Sequence, residues 1–152
     1  VPIAVFGLGS NLGNRKSNIL KAKILLKKYF GYGNFLCDAS DLCSNAVVKE
    51  GSPDVFKRLS YVNSAIAFDL KISPLILLKK INKIEKMLGR RKKHDWSPRK
   101  IDIDILFYEG NNIDLPKLKI PHPELLKRDF ALIPLKEIFA KLKLDLPKAF
   151  GN

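Results

Sequence analysis

Apolar residues run without a break from Ile3 to Leu8, the pattern of a strand buried on both faces. The run ends in Gly7-Leu8-Gly9-Ser10-Asn11-Leu12-Gly13, which reads as that strand entering a tight turn where glycine permits unusual backbone angles. The period then changes. Ile19, Ala22, Leu26, Tyr29 and Phe30 fall at helical spacing and predict a helix from about Arg15 to Phe30, with Lys27 and Lys28 facing the negative end of its dipole and Gly31 as the stop. A second strand is predicted from Asn34 to about Ser44, followed by a long loop from Asn45 to Arg58. Tyr61 to Leu70, rich in β-branched and aromatic residues, predicts a third strand. Ser73-Pro74 opens a second helix whose core face is Leu77, Ile81, Ile84 and Leu88, closed by Gly89. After a cationic stretch comes a strand from Lys100 to Tyr108, then an Asn111-Asn112 turn and a proline-punctuated tail with a short helix around Pro134 to Ala140.

This order, strand-helix-strand-strand-helix-strand, predicts an α+β fold. It is the ferredoxin-like βαββαβ core, with a mainly antiparallel sheet, both helices packed on one face, and a C-terminal extension. No repeat or composition break divides the chain, so residues 1–152 read as a single domain. Hydrophobic content of 46% and charged content of 28% are ordinary for a globular protein. The net charge of +13 is not; most of it reads as solvated helix face, yet such a field also favours polyanionic ligands. Cys37 and Cys43, on one extended segment, would lie roughly 20 Å apart, too far for a disulfide, and two lone thiols suit a reducing cytoplasm. The opening apolar run is too short for a signal peptide and no run is long enough to span a membrane, so a cytoplasmic monomer is expected.

Chemistry enters with Asp102 and Asp104, alternating with Ile101, Ile103 and Ile105. On a strand the two carboxylates share one face and the isoleucines the other. Two like charges roughly 6–7 Å apart repel, so a cation between them is expected. Mg²⁺ fits, because it often takes one or two carboxylates and fills its other positions with water and phosphate oxygens. The cationic residues from Arg90 to Arg99 would then meet the phosphates. Two other readings fail on the residues. The glycine-rich stretch misses the dinucleotide fingerprint G-x-G-x-x-G because position 12 is Leu, and no Gly-Lys-Ser/Thr triplet exists. An RNA-binding module of the same strand order is the alternative function, but its basic-Gly-aromatic signature is absent from Tyr61 to Phe68, and Asp102 and Asp104 would repel phosphate.

The segment Asp95-Trp96-Ser97-Pro98-Arg99-Lys100-Ile101-Asp102-Ile103-Asp104-Ile105-Leu106 resembles the signature of the 6-hydroxymethyl-7,8-dihydropterin pyrophosphokinases of folate biosynthesis. Further matches are Gly9-Ser10-Asn11-Leu12-Gly13, Tyr61-Val62-Asn63, Ile84-Glu85, Leu88-Gly89-Arg90, Pro121-His122-Pro123 and Arg128-Asp129-Phe130. The resemblance implies transfer of pyrophosphate from ATP to the hydroxymethyl group of the pterin, with release of AMP. It implies two Mg²⁺ ions held by Asp102 and Asp104, with Arg90 and Arg99 as the catalytic cations. ATP contacts are implied for Lys92, Lys93, Trp96, Arg99, Ile105, Lys117, Lys119, His122 and Arg128. Pterin contacts are implied for Ser44, Val47, Tyr61, Asn63, Trp96 and Phe130, and Glu85 is read as supporting rather than catalytic. Lys117 and Lys119 would present one basic face from a short extended piece, and the stretch from Arg90 to Trp96 would act as a mobile cover. Neither nucleic acid nor a membrane is expected as a partner. The chain departs from the family pattern at Ser97, usually Gly or Ala, and at Ser44-Asn45-Ala46-Val47-Val48, usually Thr-Pro-x-x-Gly.

Overall fold

A computed structural model of the chain describes residues 2–44, 60–89, 100–122 and 127–147. Its centre is β1 (Ile3–Ser10), flanked by β4 (Tyr61–Asp69) on one side and β5 (Asp102–Tyr108) on the other. Beyond β4, two short strands, β2 (Phe35–Asp38) and β3 (Leu42–Ser44), pair in succession along its outer edge. Every ladder is antiparallel, as a ferredoxin-like sheet requires. The second predicted strand is therefore two. Its ladder breaks because Ala39 N–H turns to Ala65 O at 2.8 Å while Ser40 is taken by the Glu137 carboxylate, with Ser40 N and Oγ at 2.8 and 2.6 Å from its oxygens. Cys37 and Cys43 fall on different strands and are free thiols, with burial pushing the Cys37 thiol above its ordinary value.

One face of the sheet carries two helices, α1 (Arg15–Phe30) and α2 (Pro74–Met87). Asn14 caps α1 by accepting from Ser17 N–H at 3.1 Å, and Gly31, at φ +96°, ends it with an N–H bond to Lys27 O. Ile19, Ala22 and Leu26 of α1 and Leu77, Ile81 and Ile84 of α2 close over Ala4, Phe6, Leu8, Ile66 and Ile103. Phe6 stacks on Phe30 with ring centres 5.7 Å apart, and both touch Phe68. The Tyr108 hydroxyl, buried in this layer, donates toward Leu70 O and Ile72 O and accepts from Ile72 N–H, tying β5 to the link between β4 and α2.

Among the described residues the other face is covered only in part, by α3 (Asp129–Lys141). This helix starts five residues earlier than the sequence predicts. Proline usually marks a first helical turn, but Pro134 lies inside α3, where its missing N–H forfeits one bond. Burial of Ala131, Leu135, Ile138 and Phe139 against Val5, Ala65, Ala67 and Leu106 offsets that loss. A hairpin of β6 (Ile113–Leu115) and β7 (Leu118–Ile120) follows β5, so Lys117 sits in its turn rather than on an extended piece. Lys119, on β7, pairs with Asp114 at 3.6 Å.

Candidate active site

The uncovered part of the second face lies at the end of the sheet where β1 reaches Ser10. Register decides what meets there. Gly9 is paired with Asn63 on β4 and with Asp102 on β5, and Leu42 of β3 continues the row beyond Asn63. One step along β1, Gly7 is paired with Ala65 and Asp104. Asp102 and Asp104 are half-buried and opposite in facing to the buried Ile103 and Ile105, as strand alternation demands.

The strand runs two residues further than the apolar run predicts, so Gly9 as well as Gly7 belongs to it. Gly7 and Gly9 lie inside the strand rather than in a turn, and only Gly13 beyond it takes a positive φ, +68°. Close approach is what requires them. A Cβ on Gly7 would stand 2.9 Å from Leu106 Cδ1, and one on Gly9 would stand 3.0 Å from Asn63 Nδ2. The central strand thus presents bare backbone between an amide on one side and a carboxylate on the other. Glycine at alternate positions of an apolar strand was the available signal.

Asn63 is 7% exposed; its Nδ2 donates to Leu8 O at 3.4 Å, while its Oδ1 is buried with no hydrogen-bond partner among the described residues. A buried amide oxygen without a partner costs free energy unless something donates to it, so it is suited to accept from a ligand N–H. Tyr61, two residues along on the same side of β4, is half-buried and pairs in register with Ser44. Arg15 steadies this end by donating to Ser60 O at 3.0 Å and to Ser60 Oγ.

The carboxylate side is held from below. Glu85 on α2 is 2% exposed, and its Oε2 accepts from Ile103 N–H at 2.8 Å, so the peptide between the two aspartates is anchored to a helix. On the sheet's outer edge His122 N–H donates to Leu106 O at 3.3 Å, which brings the Pro121-His122 segment beside β5 two residues beyond Asp104. At the start of α3 the Arg128 guanidinium lies 5.8 Å from the centre of the Phe130 ring, and Phe130 packs against the cluster that contains Ala65 and Leu106. Ile105 is 4% exposed within the layer under α1 and α2. Its side chain points away from the aspartate side, so a nucleotide there would meet Ile105 through its backbone. Val47, Arg90, Lys92, Lys93, Trp96 and Arg99 lie outside the described residues, as does the cover expected from Arg90 to Trp96.

As for a metal, Asp102 and Asp104 are two half-buried carboxylates on one face of β5, beside Gly9 and Gly7 of β1. Among the described residues no group of three or more His, Cys, Asp or Glu gathers into a closed cage. Such a pair fits Mg²⁺ that is shared with phosphate oxygens.

Comparison with known proteins gives the same direction. The chain is 39% identical over 133 residues to the 2-amino-4-hydroxy-6-hydroxymethyldihydropteridine pyrophosphokinase of Aquifex aeolicus, an alignment spanning 87% of this chain and 77% of that protein. With the enzyme of the same name from Bacillus subtilis the identity is 30% over 148 residues, spanning 97% and 84%. A folate synthesis bifunctional protein of Chlamydia trachomatis is 41% identical over 127 residues, 82% of this chain but 28% of that longer protein. Among solved structures, HPPK-DHPS of Plasmodium falciparum superposes with a TM-score of 0.61 over 93% of this chain and 40% of that one; at 18% identity this speaks for the fold alone. The family model described as 7,8-dihydro-6-hydroxymethylpterin-pyrophosphokinase matches residues 5–140, and the chain belongs to that family.

Proposed function

We propose that the two sides of the bare strand divide the reaction between them, phosphates over Asp102 and Asp104 and pterin over Asn63. The activity is that of the family: pyrophosphate passes from ATP to the hydroxymethyl oxygen of 6-hydroxymethyl-7,8-dihydropterin, giving AMP and the pterin pyrophosphate used in folate synthesis. The RNA-binding alternative finds no support among these relatives. The observation that carries the division of labour is the register Asn63–Gly9–Asp102, which sets an amide with an unpartnered oxygen and a carboxylate on either side of a residue with no side chain.

Pyrophosphoryl transfer asks a protein mainly for positioning and charge stabilisation. Asp102 and Asp104 would hold the Mg²⁺ ions, two in this proposal, whose chemistry when bound would be to offset the triphosphate charge. Asn63 accepts from the pterin edge through Oδ1, and Tyr61 and Phe130 offer ring faces to the bicycle. Arg128, beside Phe130, and His122, on the β5 edge, serve the phosphates. Arg90, Lys92, Lys93, Trp96 and Arg99 are assigned to ATP by the family motif, with Trp96 also closing over the pterin and Val47 and Ser44 bordering it. The hydroxymethyl oxygen displaces AMP from the transferred phosphorus and loses its proton to solvent or phosphate. A cytoplasmic monomer completes the proposal.

The test is AMP release coupled to a spectroscopic readout, with ATP, the hydroxymethyl dihydropterin and Mg²⁺. Asp102→Asn and Asp104→Asn are each expected to lower turnover by roughly 10²-fold or more, as loss of a phosphoryl-transfer charge clamp does, with unchanged circular dichroism. Near-normal turnover in either variant removes that carboxylate from the metal site. Absence of Mg²⁺-dependent AMP from the unmodified chain removes the activity itself.

A further inference from the structure

The net charge of the chain is not spread evenly over the fold. α1 contains six basic residues and no acid; α2 contains four lysines and one acid, Glu85, which is buried and bonded to Ile103. Both helices bury their inner faces in the same core, so both outer faces point away from the sheet and away from Asp102, Asn63 and the bare strand. On α1, Lys16, Leu20, Ile24 and Lys28 are all exposed and form one i, i+4 row, with Leu20 at 58% and Ile24 at 49%. On α2, Leu75, Lys79, Lys83 and Met87 form a matching exposed row, with Leu75 at 46% and Met87 at 57%. None of these four lysines takes part in an ion pair among the described residues. Lys80 of α2 lies 5.4 Å from the Tyr29 ring of α1, so the two row-bearing helices are neighbours on one face of the sheet.

We infer that this helical layer docks on an anionic lipid membrane surface. Lysines raised beside exposed aliphatics are the composition of an interfacial helix, in which the apolar side chains enter the headgroup region and the ammonium groups meet lipid phosphates. A second copy of the chain is disfavoured by repulsion between like faces. A nucleic acid would be met more often by arginine forks and stacking aromatics. Here the arginine of α1, Arg15, is engaged with Ser60. Docking this way leaves the catalytic face open to solution, and it revises the expectation that no membrane is a partner.

The experiment is co-sedimentation of the full chain with phosphatidylcholine vesicles, with and without about one-third phosphatidylglycerol, at about 50 mM and about 300 mM salt. Binding only to the anionic vesicles, weakened by salt, is expected. Lys16→Glu, Lys28→Glu, Lys79→Glu and Lys83→Glu combined should weaken it at least tenfold, since each lysine near an anionic surface contributes roughly fivefold. Lys136→Glu with Lys143→Glu, on and just after α3, should change it far less. Leu20→Ser with Ile24→Ser should weaken it severalfold, with circular dichroism and AMP release unchanged in all variants. No sedimentation at low salt overturns the inference, as does equal loss in the α3 control. It is equally overturned if the aliphatic variant keeps full vesicle binding or if single-stranded RNA competes the chain off the vesicles at equal phosphate.

Discussion

Gly9 shows how much a missing side chain can determine. A Cβ there would stand 3.0 Å from Asn63 Nδ2, tighter than ordinary contact, and the neighbour that must yield is the buried amide assigned to the pterin. Gly9→Ala should therefore cost about 1–3 kcal/mol in stability at most, as overpacking does, while raising KM for the pterin about tenfold and leaving KM for ATP within about twofold. Thermal unfolding together with initial rates at varied pterin checks this; an unchanged pterin KM would separate Asn63 from the pterin. The residue types at this site were readable from the chain: two aspartates at alternate positions, an Asn after Tyr61-Val62, and a His between prolines. That Glu85 reaches Ile103, eighteen positions along the chain, was not readable, because a buried carboxylate on a helix looks the same in sequence whether it faces a strand peptide or water.

Elements were legible where one face repeats and the ends are marked. α1 begins and ends where the periodicity and Gly31 put it, and α2 differs from its prediction by about a turn at most. Failures came where long-range contacts overrode local signs. The split of β2 from β3 depends on Glu137 of α3, ninety-seven positions from Ser40. The start of α3 depends on which residues the sheet can bury, against the local sign of Pro134. The Ser40–Glu137 contact also has a pH signature. The Ser40 hydroxyl, with smaller help from its N–H and from Lys141, holds the Glu137 carboxyl below its ordinary value. A lowered folded value stabilises the fold above the unfolded pKa and loses that contribution as pH falls through the folded value. Ser40→Ala should thus be destabilised by about 0.5–1.5 kcal/mol near neutral pH, and the gap should close as the pH falls through the lowered folded-state value of Glu137. Urea titrations near neutral pH and below that value test it, and an equal gap at both would mean that the serine acts without the carboxylate charge.

At the scale of the whole molecule, one sheet separates two surfaces of different chemistry. The helical face is cationic and partly aliphatic; the opposite face, covered in part by α3 among the described residues, carries the aspartates, the amide and the half-buried glycines of β1. Ligands that bind only the folded chain stabilise it by mass action. A non-hydrolysable ATP analogue at about a hundred times its Kd, with Mg²⁺, should add about 2.7 kcal/mol, which for a domain of this size raises Tm by roughly 5–10 °C. The shift should vanish on chelation of Mg²⁺ and in Asp102→Asn. A shift that survives both would place the nucleotide away from the carboxylates. Among the described residues no helix is long and apolar enough to cross a membrane.

Local chemistry was enough to predict the order of strands and helices, the α+β class, and a carboxylate pair on one face of a strand. These follow from periodicity, capping and side-chain alternation, which act over a few residues. The residues expected to meet phosphate and pterin came instead from resemblance to the pyrophosphokinase family. What needed the folded chain was the register. Asn63, Gly9 and Asp102 are brought abreast by backbone pairing between segments more than thirty positions apart, and a slip of one residue would turn each of them to the other face. The same packing turned the outer faces of α1 and α2 away from the aspartates and the amide, whereas the sequence assigned the charge to solvated helix face without saying on which side of the sheet it lies.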